Sequence, residues 1–404
     1  MAVQFNIRVR KFRAIQEADI DLNGITVVSG ENGCGKSTLS QLLYHAFHVR
    51  STLEDYAWRE AYEKLRPVRM LLERLTVDRR YAMHAESWEA FTYAMRDLFH
   101  TVPELSTQKR LLLDILRNLG VRGKELEDLS EAQLYQKLGC KVEEILKDIE
   151  ARLERRDNGW LQQELEHCFR ESARDKFEIY EDGTVPLVDN GQGQMVSTWI
   201  QDAIYIDTPF GIEPYRNPLF PKSHHWRQLD SLLRQEPAVK ENDVLITTLE
   251  KILRGRIRKE DYGSLIYYPD KRKRGFPVSL CATGLKSLAI LYQLLHNGCL
   301  NDSTLLIIDE PEVHLHPQWV VEYARMLVLI RKHLGTRFFI ASHSPDMISA
   351  LKHIGAKEKE YVQFYLAERK SSKYTYSSLG QSIEPIFKSF NIALDRIEEY
   401  GTNE

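Results

Sequence analysis

Residues 25 to 38 read ITVVSGENGCGKST, and this stretch decides the fold. It opens with a short apolar strand that ends at Gly30, and a helical sequence follows it. Between them, residues 30 to 37 fit the pattern G-x-x-x-x-G-K-[ST], and the strand before it and helix after it are the context that makes the pattern significant. Glycines let backbone N–H groups turn inward around phosphates, and a helix N-terminus adds donors and a favourable dipole. The sequence therefore predicts a phosphate-binding loop in an α/β fold.

The residues of this loop have different expected roles. We expect Lys36 to reach the β- and γ-phosphates of a nucleotide, and Ser37 to offer its hydroxyl to Mg²⁺. The other residues expected to contact the nucleotide are Gly30, Glu31, Asn32, Gly33, Cys34, Gly35 and Thr38. The alternative is a glycine-rich turn with a chance lysine, and the strand and helix on either side argue against it.

A phosphate-binding loop needs a second, acidic strand, and the sequence TLLIIDE at residues 304 to 310 supplies it. Four apolar residues predict a buried strand that delivers Asp309 at its carboxyl end, where parallel sheets hold their ligands. We expect Asp309 to hold Mg²⁺ through its water shell. Glu310 comes next, and is placed to orient and deprotonate an attacking water.

The segment that contains these acids, IIDEPEVHLHPQW at residues 307 to 319, is unusually rich in carboxylates and imidazoles. A transition-metal site is the alternative interpretation, because His314 and His316 are two residues apart and would share a face of an extended segment. The nucleotide site already uses Asp309 and Glu310. Only Glu312 would then remain to complete such a metal site with the two histidines.

Composition limits the class of protein. The chain has 404 residues and a formal net charge of −3, so it can bury a substantial core in two lobes but has no overall attraction for nucleic acid. Its five cysteines are odd in number and lack CxxC spacing, which favours reduced thiols. The N-terminus lacks the apolar core of a signal peptide, and no apolar run reaches membrane-spanning length. These observations predict a cytoplasmic protein without membrane contacts.

The pattern of charges and apolar residues changes along the chain. Residues 51–176 predict a helical insertion, which would split one α/β unit into residues 1–50 and 177–404. A charged stretch, about residues 221–262, predicts further helix. The sequence SLIYYPDKRKRGFPVSL then predicts a strand, a basic turn and a second strand. The run Lys271–Arg274 can contact phosphates of DNA or RNA, although a charged turn is more often simply solvated.

Three segments, SGENGCGKST, IIDEPEVHLHP and IASHSP, together resemble the ABC-class ATPases related to SMC and recombination-repair proteins. Within that class the chain is most similar to the branch of overcoming-lysogenisation-defect proteins and the ATPase subunits of anti-phage systems such as Septu and PARIS. The resemblance covers about residues 1–50 and 200–370. It implies an α/β fold, an ABC-type P-loop ATPase head with mixed sheets, here carrying a large helical insertion.

The resemblance also implies further site residues. In that class two heads sandwich two nucleotides, and a signature loop of one head completes the site of the other. The stretch that resembles this loop is Ser279–Ser287, where Thr283 and Gly284 begin a helix and can donate to a γ-phosphate. His343 resembles the switch histidine and joins Glu310 and Lys36 as an expected catalytic residue. Glu312–Pro317 resembles the loop that crosses the head–head interface.

The glutamine-bearing loop of the class has no clear match, and its candidates are Gln201 and Asp207. The resemblance implies an ATP-hydrolysing homodimer or higher homo-oligomer that uses ATP and Mg²⁺. The residues after IASHSP show no paired-acid nuclease pattern, so we expect it to control a separate effector, a nuclease or toxin, in anti-phage defence. The alternatives are a DNA-repair or chromosome-associated ATPase, and a slow ATP-binding scaffold that sequesters a toxin. Direct binding of nucleic acid stays open.

Overall fold

The computed structural model describes most of the chain: residues 3–75, 88–101, 109–183, 185–186, 199–207, 224–238, 243–260, 264–272 and 274–389. The chain divides into two compact units. The first comprises Met1–His48, Glu164–Gly191 and Ser197–Glu404, and the second comprises Val49–Gln163 and Gln192–Val196. The phosphate-binding loop and the acidic strand both lie in the first unit.

Strands and helices alternate through the first unit. The strands are β1 (Phe5–Phe12), β2 (Ile15–Asp21), β3 (Ile25–Gly30), β4 (Phe177–Glu181), β5 (Val185–Pro186), β6 (Asp202–Ile206), β7 (Gly255–Lys259), β8 (Leu265–Pro269), β9 (Phe276–Pro277), β10 (Thr304–Asp309), β11 (Arg337–Ala341), β12 (Val362–Lys370) and β13 (Lys373–Gly380). The helices of the chain are α1 (Lys36–Ser51), α2 (Leu53–Lys64), α3 (Arg66–Leu75), α4 (Trp88–Thr101), α5 (Lys109–Asn118), α6 (Glu131–Glu154), α7 (Gly159–Phe169), α8 (His224–Arg234), α9 (Val244–Leu253), α10 (Thr283–His296), α11 (Pro317–Leu334) and α12 (Pro345–Glu358).

Ten of the strands form one mixed sheet in the order β5-β4-β1-β2-β13-β12-β3-β11-β10-β6. The strands from β12 to β6 pair in parallel, whereas β1, β2 and β4 form antiparallel pairs. Every residue of β10 and β11 is buried, as expected for parallel strands covered on both faces. The prediction of an α/β fold with a mixed sheet is thus confirmed.

The register of the parallel strands brings their carboxyl ends together. Asp309 pairs with Ala341, and Ala341 pairs with Val28 near the end of the strand that precedes the phosphate-binding loop. On the other side, Ile308 pairs with Ile206. Residues that follow β3, β11, β10 and β6 therefore emerge side by side along one edge of the sheet, where open α/β sheets bind their ligands.

A second, three-stranded antiparallel sheet has the order β7-β8-β9. The sequence predicted helix throughout residues 221–262, and this is wrong at its end. Helix α9 ends at Leu253, Arg254 adopts a left-handed conformation, and β7 begins at Gly255. Residues of β7 alternate between buried and exposed, so a strand with one buried face forms once β8 is there to pair with it.

The described part of the second unit is built from helices, as the sequence pattern of residues 51–176 indicated. Ser130 begins α6 with a capping box, in which its hydroxyl accepts from the N–H of Gln133 and the Gln133 side chain accepts in return. The carboxylate of Glu60 accepts from Arg152 and Lys64 at 2.7 Å and from the indole N–H of Trp160 at 2.5 Å. These bonds tie three helices of the unit together.

No helix in the described part of the chain combines the length and the apolar character needed to cross a bilayer.

Candidate nucleotide-binding site

The phosphate-binding loop has a backbone that glycine makes possible. Gly33 and Gly35 adopt φ values of 80° and 100°, which side chains rarely tolerate. A Cβ on Gly35 would lie 2.7 Å from Cγ1 of Ile15, so the loop also packs too closely on β2 for any larger residue. At Gly33, in contrast, a Cβ would meet open space, so this side of the loop is left free for a ligand. Glu31 and Asn32 are also exposed there, whereas Cys34 is buried.

The Lys36 amine folds back over the loop that precedes it. Its Nζ donates to the carbonyl oxygens of Gly30 at 2.9 Å and Glu31 at 3.0 Å, and the side chain is buried. A cationic amine at this place lies beside the backbone turn that the sequence assigns to the phosphates. Ser37 and Thr38 occupy the first turn of α1, where free backbone N–H groups are available to an anion.

Two tyrosines of β13 support the loop from the neighbouring part of the sheet. The Tyr376 hydroxyl donates to the carbonyl oxygen of Cys34 at 3.2 Å, and the Tyr374 hydroxyl donates to the Glu31 carboxylate at 3.2 Å. Burial, followed by the nearby Cys34, raises the pKa of Tyr376 well above its ordinary value, so this hydroxyl stays protonated and available as a donor. Neither tyrosine was identified from the sequence, because β13 lies more than 300 residues after the loop.

Asp309 lies at the end of β10 in a buried, hydroxyl-lined position. The Ser40 hydroxyl donates to one carboxylate oxygen, and the Tyr205 hydroxyl donates to the other at 2.9 Å. Burial raises the pKa of Asp309, and hydrogen bonds from Ser40, Ser37 and Tyr205 oppose that rise. Ser37 and Asp309, which the sequence assigned to one metal ion, are therefore in contact across two elements.

Ser40 and Tyr205 are site residues that sequence analysis missed. A signal for Ser40 existed, because it lies three residues after Ser37 and so on the same face of α1. Tyr205 gave no such signal, since its contact depends on the parallel pairing of β6 with β10. Burial raises the pKa of Tyr205 strongly, and the neighbouring Asp309 adds to this, so the phenol remains a donor.

Glu310 and His343 meet just beyond the ends of β10 and β11. The Nδ1 atom of His343 is 3.4 Å from Oε1 of Glu310, and both side chains are partly open to solvent, with 44% and 39% of their surface exposed. Glu310 adopts a positive φ of 48°, and its N–H donates to the carbonyl oxygen of Ala341 at 2.7 Å. This turn directs the carboxylate away from the strand, and the two residues expected to be catalytic come together.

Glu312 has a different place from the one expected for an interface residue. Its Oε1 accepts from the Ser342 hydroxyl at 2.8 Å and from the N–H groups of His343 and Ser344, each at 3.1 Å. Only 8% of its side chain is exposed. The carboxylate therefore holds the turn that carries His343, and it faces inward rather than toward a partner.

The two histidines that follow do not converge on Glu312. His316 begins α11 as its N-terminal cap, with Nδ1 accepting from the N–H of Gln318 at 3.4 Å, and His314 is exposed in a left-handed turn with a φ of 67°. Within the described residues, no three His, Cys, Asp or Glu side chains are grouped as a metal site requires. The transition-metal interpretation of this segment gains no support from the geometry.

Thr283 and Gly284 form the first turn of α10, where the resemblance placed the signature loop. A Cβ on Gly284 would lie 3.0 Å from Leu315 and 3.3 Å from Trp319, so close packing against the 314–319 segment favours glycine here. The signature segment and the expected interface loop are thus direct neighbours on one chain. Leu280, just before this helix, is 79% exposed.

The two candidates for the glutamine-bearing loop lie at opposite ends of β6. Asp207 follows the carboxyl end of the strand, where its oxygens bind the indole N–H of Trp226 at 2.9 Å and the ring of His225 at 3.1 Å. Gln201 precedes the strand, and its N–H donates to the carbonyl oxygen of Ser303 at the far edge of the sheet. Asp207 therefore borders the site, whereas Gln201 is separated from it by the length of the strand.

The residues present fit a magnesium-bound nucleotide. A buried carboxylate with serine hydroxyls beside it is a set of hard oxygen donors of the kind that Mg²⁺ prefers. The raised pKa of Asp309 reflects the cost of burying its charge, and a bound cation would offset that cost. The open face at Gly33 leaves room for phosphates beside the loop.

Comparisons with known proteins agree with this geometry. The family described as "AAA domain, putative AbiEii toxin, Type IV TA system" matches residues 25–349. Curated proteins give no match. Two similar solved structures are the SMC head domain from Thermotoga maritima, with 11% identity, a TM-score of 0.40 and coverage of 94% of this chain and 99% of that one, and an ATP-binding cassette of an ABC transporter in its ADP conformation, with 10% identity, a TM-score of 0.36 and coverage of 95% and 93%.

The family match spans the phosphate-binding loop, the acidic strand and the switch histidine, and it leaves only the first 24 and last 55 residues outside. The prediction of an ABC-like P-loop ATPase is therefore confirmed. The chain belongs to this AAA-domain family of P-loop ATPases.

Proposed function

We propose that this protein binds and hydrolyses ATP with Mg²⁺. The observation that carries the proposal is the meeting of four groups at one edge of the sheet: the Lys36 amine over its loop, Asp309 bonded to the serines of α1, and Glu310 beside His343. Each comes from the carboxyl end of a neighbouring parallel strand or the helix that follows it. Together they are the groups that phosphoryl transfer to water requires.

Each residue has a distinct proposed role. The backbone N–H groups of the loop and the Lys36 amine bind the phosphates, and Mg²⁺, when bound at Asp309 and Ser37, supplies positive charge against them. Glu310 orients the attacking water and accepts its proton, because its carboxylate is partly exposed and lies beyond the strand end. His343 then lies 3.4 Å from that carboxylate, close enough to hold it in place and to donate to the transferring group.

We further propose that two heads of this kind join around ATP. Support comes from one surface of the chain, where the start of α10 packs on the Leu315 segment and the exposed Leu280 lies beside it. An exposed leucine next to helix N–H groups suits a contact that buries apolar area and completes a phosphate site at the same time. Thr283 and Gly284 would then donate to the nucleotide of the opposite head.

The biological role we propose is control of a separate effector, a nuclease or toxin, in anti-phage defence in the cytoplasm. The family description names a toxin–antitoxin system, and such a system couples two proteins. ATP-dependent joining and separation of heads would provide the switch, because only contacts that differ between two states can shift an equilibrium.

The dimer proposal can be tested at Leu280. Leu280→Glu should lower the mass of the ATP-bound protein in light scattering to that of a monomer and should reduce ATP turnover. Val244→Glu is the matched control, since Val244 is also apolar and 67% exposed but lies at the start of α9. If both variants keep the wild-type mass and turnover, the proposed interface is wrong. Copurification from the native operon tests the effector: a nuclease or toxin in fixed complex is expected, and DNA-stimulated turnover without any partner contradicts the proposal.

A further inference from the structure

The three-stranded sheet and the ends of its neighbouring elements carry a local charge opposite to that of the chain. Residues 251–274 contain nine lysines and arginines and three acidic residues, although the whole chain has a net charge of −3. Nothing in the nucleotide site uses these cations. A positive region this dense on an acidic protein is an electrostatic footprint for a polyanion.

The fold gathers these cations on one surface. In β7, Arg256 and Arg258 are exposed, whereas Gly255 and Ile257 between them are buried, so the two guanidinium groups share the outer face of the sheet. The N–H of Asp270 donates to the carbonyl oxygen of Arg254 at 3.0 Å, which places the basic turn after β8 against the end of α9. We name the exposed set the basic face: Lys251, Arg254, Arg256, Arg258, Lys271, Arg272 and Arg274.

Most of this charge has no counterpart nearby. Arg256 pairs with Glu250 at 3.5 Å, but among the described residues the other six cations of the basic face have no carboxylate within 4.0 Å. Glu260, the acid closest in sequence, instead accepts a hydrogen bond from the Tyr268 hydroxyl. Like charges held this close repel one another, and a bound polyanion would relieve that repulsion.

Aromatic rings lie among the arginines. Tyr268 pairs directly with Arg256 across the strands, and the Arg258 guanidinium is 5.9 Å from the centre of the Tyr268 ring. The Arg272 guanidinium is 5.7 Å from the ring of Phe276, which is 37% exposed. A Cβ on Gly275 would lie 2.8 Å from the Tyr268 ring, so glycine there leaves the ring its position. Rings and guanidinium planes on one surface are what unpaired bases stack on.

The basic face continues into a groove of about 650 Å³ between α9 and α11. Lys251 and Arg254 line it together with Ile252, Trp319 and Val321. Cations beside an indole and aliphatic side chains suit a ligand that alternates phosphates with flat apolar bases. An acidic protein segment would pair with the cations but would make no use of the rings.

We infer that the basic face binds single-stranded nucleic acid, with arginines on the phosphates and Tyr268, Phe276 and Trp319 available to the bases. The arginines outnumber the lysines, and the planar guanidinium matches phosphate and stacks on bases as an ammonium does not. This inference stands independently of ATP hydrolysis, because it rests on a surface apart from the phosphate-binding loop.

The test is fluorescence anisotropy with a labelled 30-nucleotide single strand, the same sequence as a duplex, and polyglutamate as competitor, each from 50 to 200 mM salt. The triple variant R258E/K271E/R272E reverses three exposed cations of the basic face. The matched control K124E/K137E/K357E changes the net charge equally at exposed cations elsewhere. The neutral variant R258Q/K271Q/R272Q serves if the reversed one folds poorly, and circular dichroism checks all of them.

Wild type and control should bind the single strand alike, and the triple variant should bind at least about tenfold more weakly at 100 mM salt, because each lost phosphate contact on a single strand removes about 0.7 from the slope of log K against log salt. Lys36→Ala should bind the strand normally, which separates this result from any failure of the nucleotide site. Equal loss in the control, tighter binding of the duplex, or displacement by polyglutamate at equal charge would each overturn the inference.

Discussion

Replacement of Glu312 by alanine should loosen the turn that carries His343. The carboxylate oxygen accepts three hydrogen bonds from Ser342, His343 and Ser344, and its side chain is only 8% exposed. The Ser342 hydroxyl can rotate to another acceptor, so the two backbone N–H groups carry the lasting loss. At about 1 kcal/mol for each donor left without a partner, the turn should lose about 2 kcal/mol.

Hydrogen exchange read by mass spectrometry measures this loss locally. A 2 kcal/mol loss corresponds to roughly 30-fold faster exchange in peptides that cover residues 342–344, since each 1.4 kcal/mol is about tenfold. ATP turnover should fall as well, because His343 would no longer be held beside Glu310. Glu312→Gln keeps an acceptor oxygen for the same N–H groups and should restore part of the protection.

Glu310→Ala is the matched control for this experiment. Glu310 is two residues away and also acidic, but it is 39% exposed and contacts the turn only through the His343 ring at 3.4 Å. It should lose turnover without accelerating exchange at residues 342–344. Equal exchange in wild type and Glu312→Ala, or equal acceleration in both alanine variants, would refute the role of Glu312 as the anchor of the turn.

Three further predictions concern other parts of the chain. Lys36→Ala should abolish ATP binding in calorimetry, and normal affinity would contradict the phosphate assignment. Tyr376→Phe removes the donor to the Cys34 carbonyl, so ATP affinity should fall by about fivefold, as expected for one hydrogen bond of about 1 kcal/mol, and unchanged affinity would show that the loop holds its shape alone. Burial would raise the pKa of Glu60, but hydrogen bonds from Lys64 and Trp160 lower it below 4.5, so its stabilising contribution is present above pH 4.5 and is lost as the pH falls through the lowered pKa. Glu60→Gln should therefore melt earlier at pH 7 than wild type and lose less on acidification to pH 3, and parallel melting curves at both pH values would contradict this.

The phosphate-binding loop and the acidic strand were predictable because their chemistry is local. Backbone N–H groups can surround a phosphate only with glycine at set positions, and a buried strand ending in aspartate carries its own pattern of apolar residues. Both signals are complete within a dozen residues. The structure places Asp309 in contact with the serines of α1, as that pairing of motifs implied.

The supporting residues were not predictable, since their contacts depend on the order of the strands. Tyr376 reaches Cys34 across 342 positions of sequence, and Tyr205 reaches Asp309 across 104. Glu312 looked like a surface residue of an exposed loop until the pairing of β10 with β11 placed Ser344 beside it. Strand β7 was mistaken for helix because its charged residues suit a solvated helix equally well, and only pairing with β8 decides between them.

The most direct test of ATP hydrolysis between two heads is Glu310→Gln in the presence of Mg²⁺ and ATP. The variant keeps the phosphate-binding loop, Asp309 and the hydrogen-bonding shape of the side chain, but it cannot accept a proton from water. Light scattering and nucleotide analysis of the same sample should show a dimer that retains unhydrolysed ATP, while wild type returns to monomer as ADP accumulates. A variant that hydrolyses ATP at the wild-type rate, or that holds ATP as a monomer, would contradict the proposed chemistry or the proposed assembly, respectively.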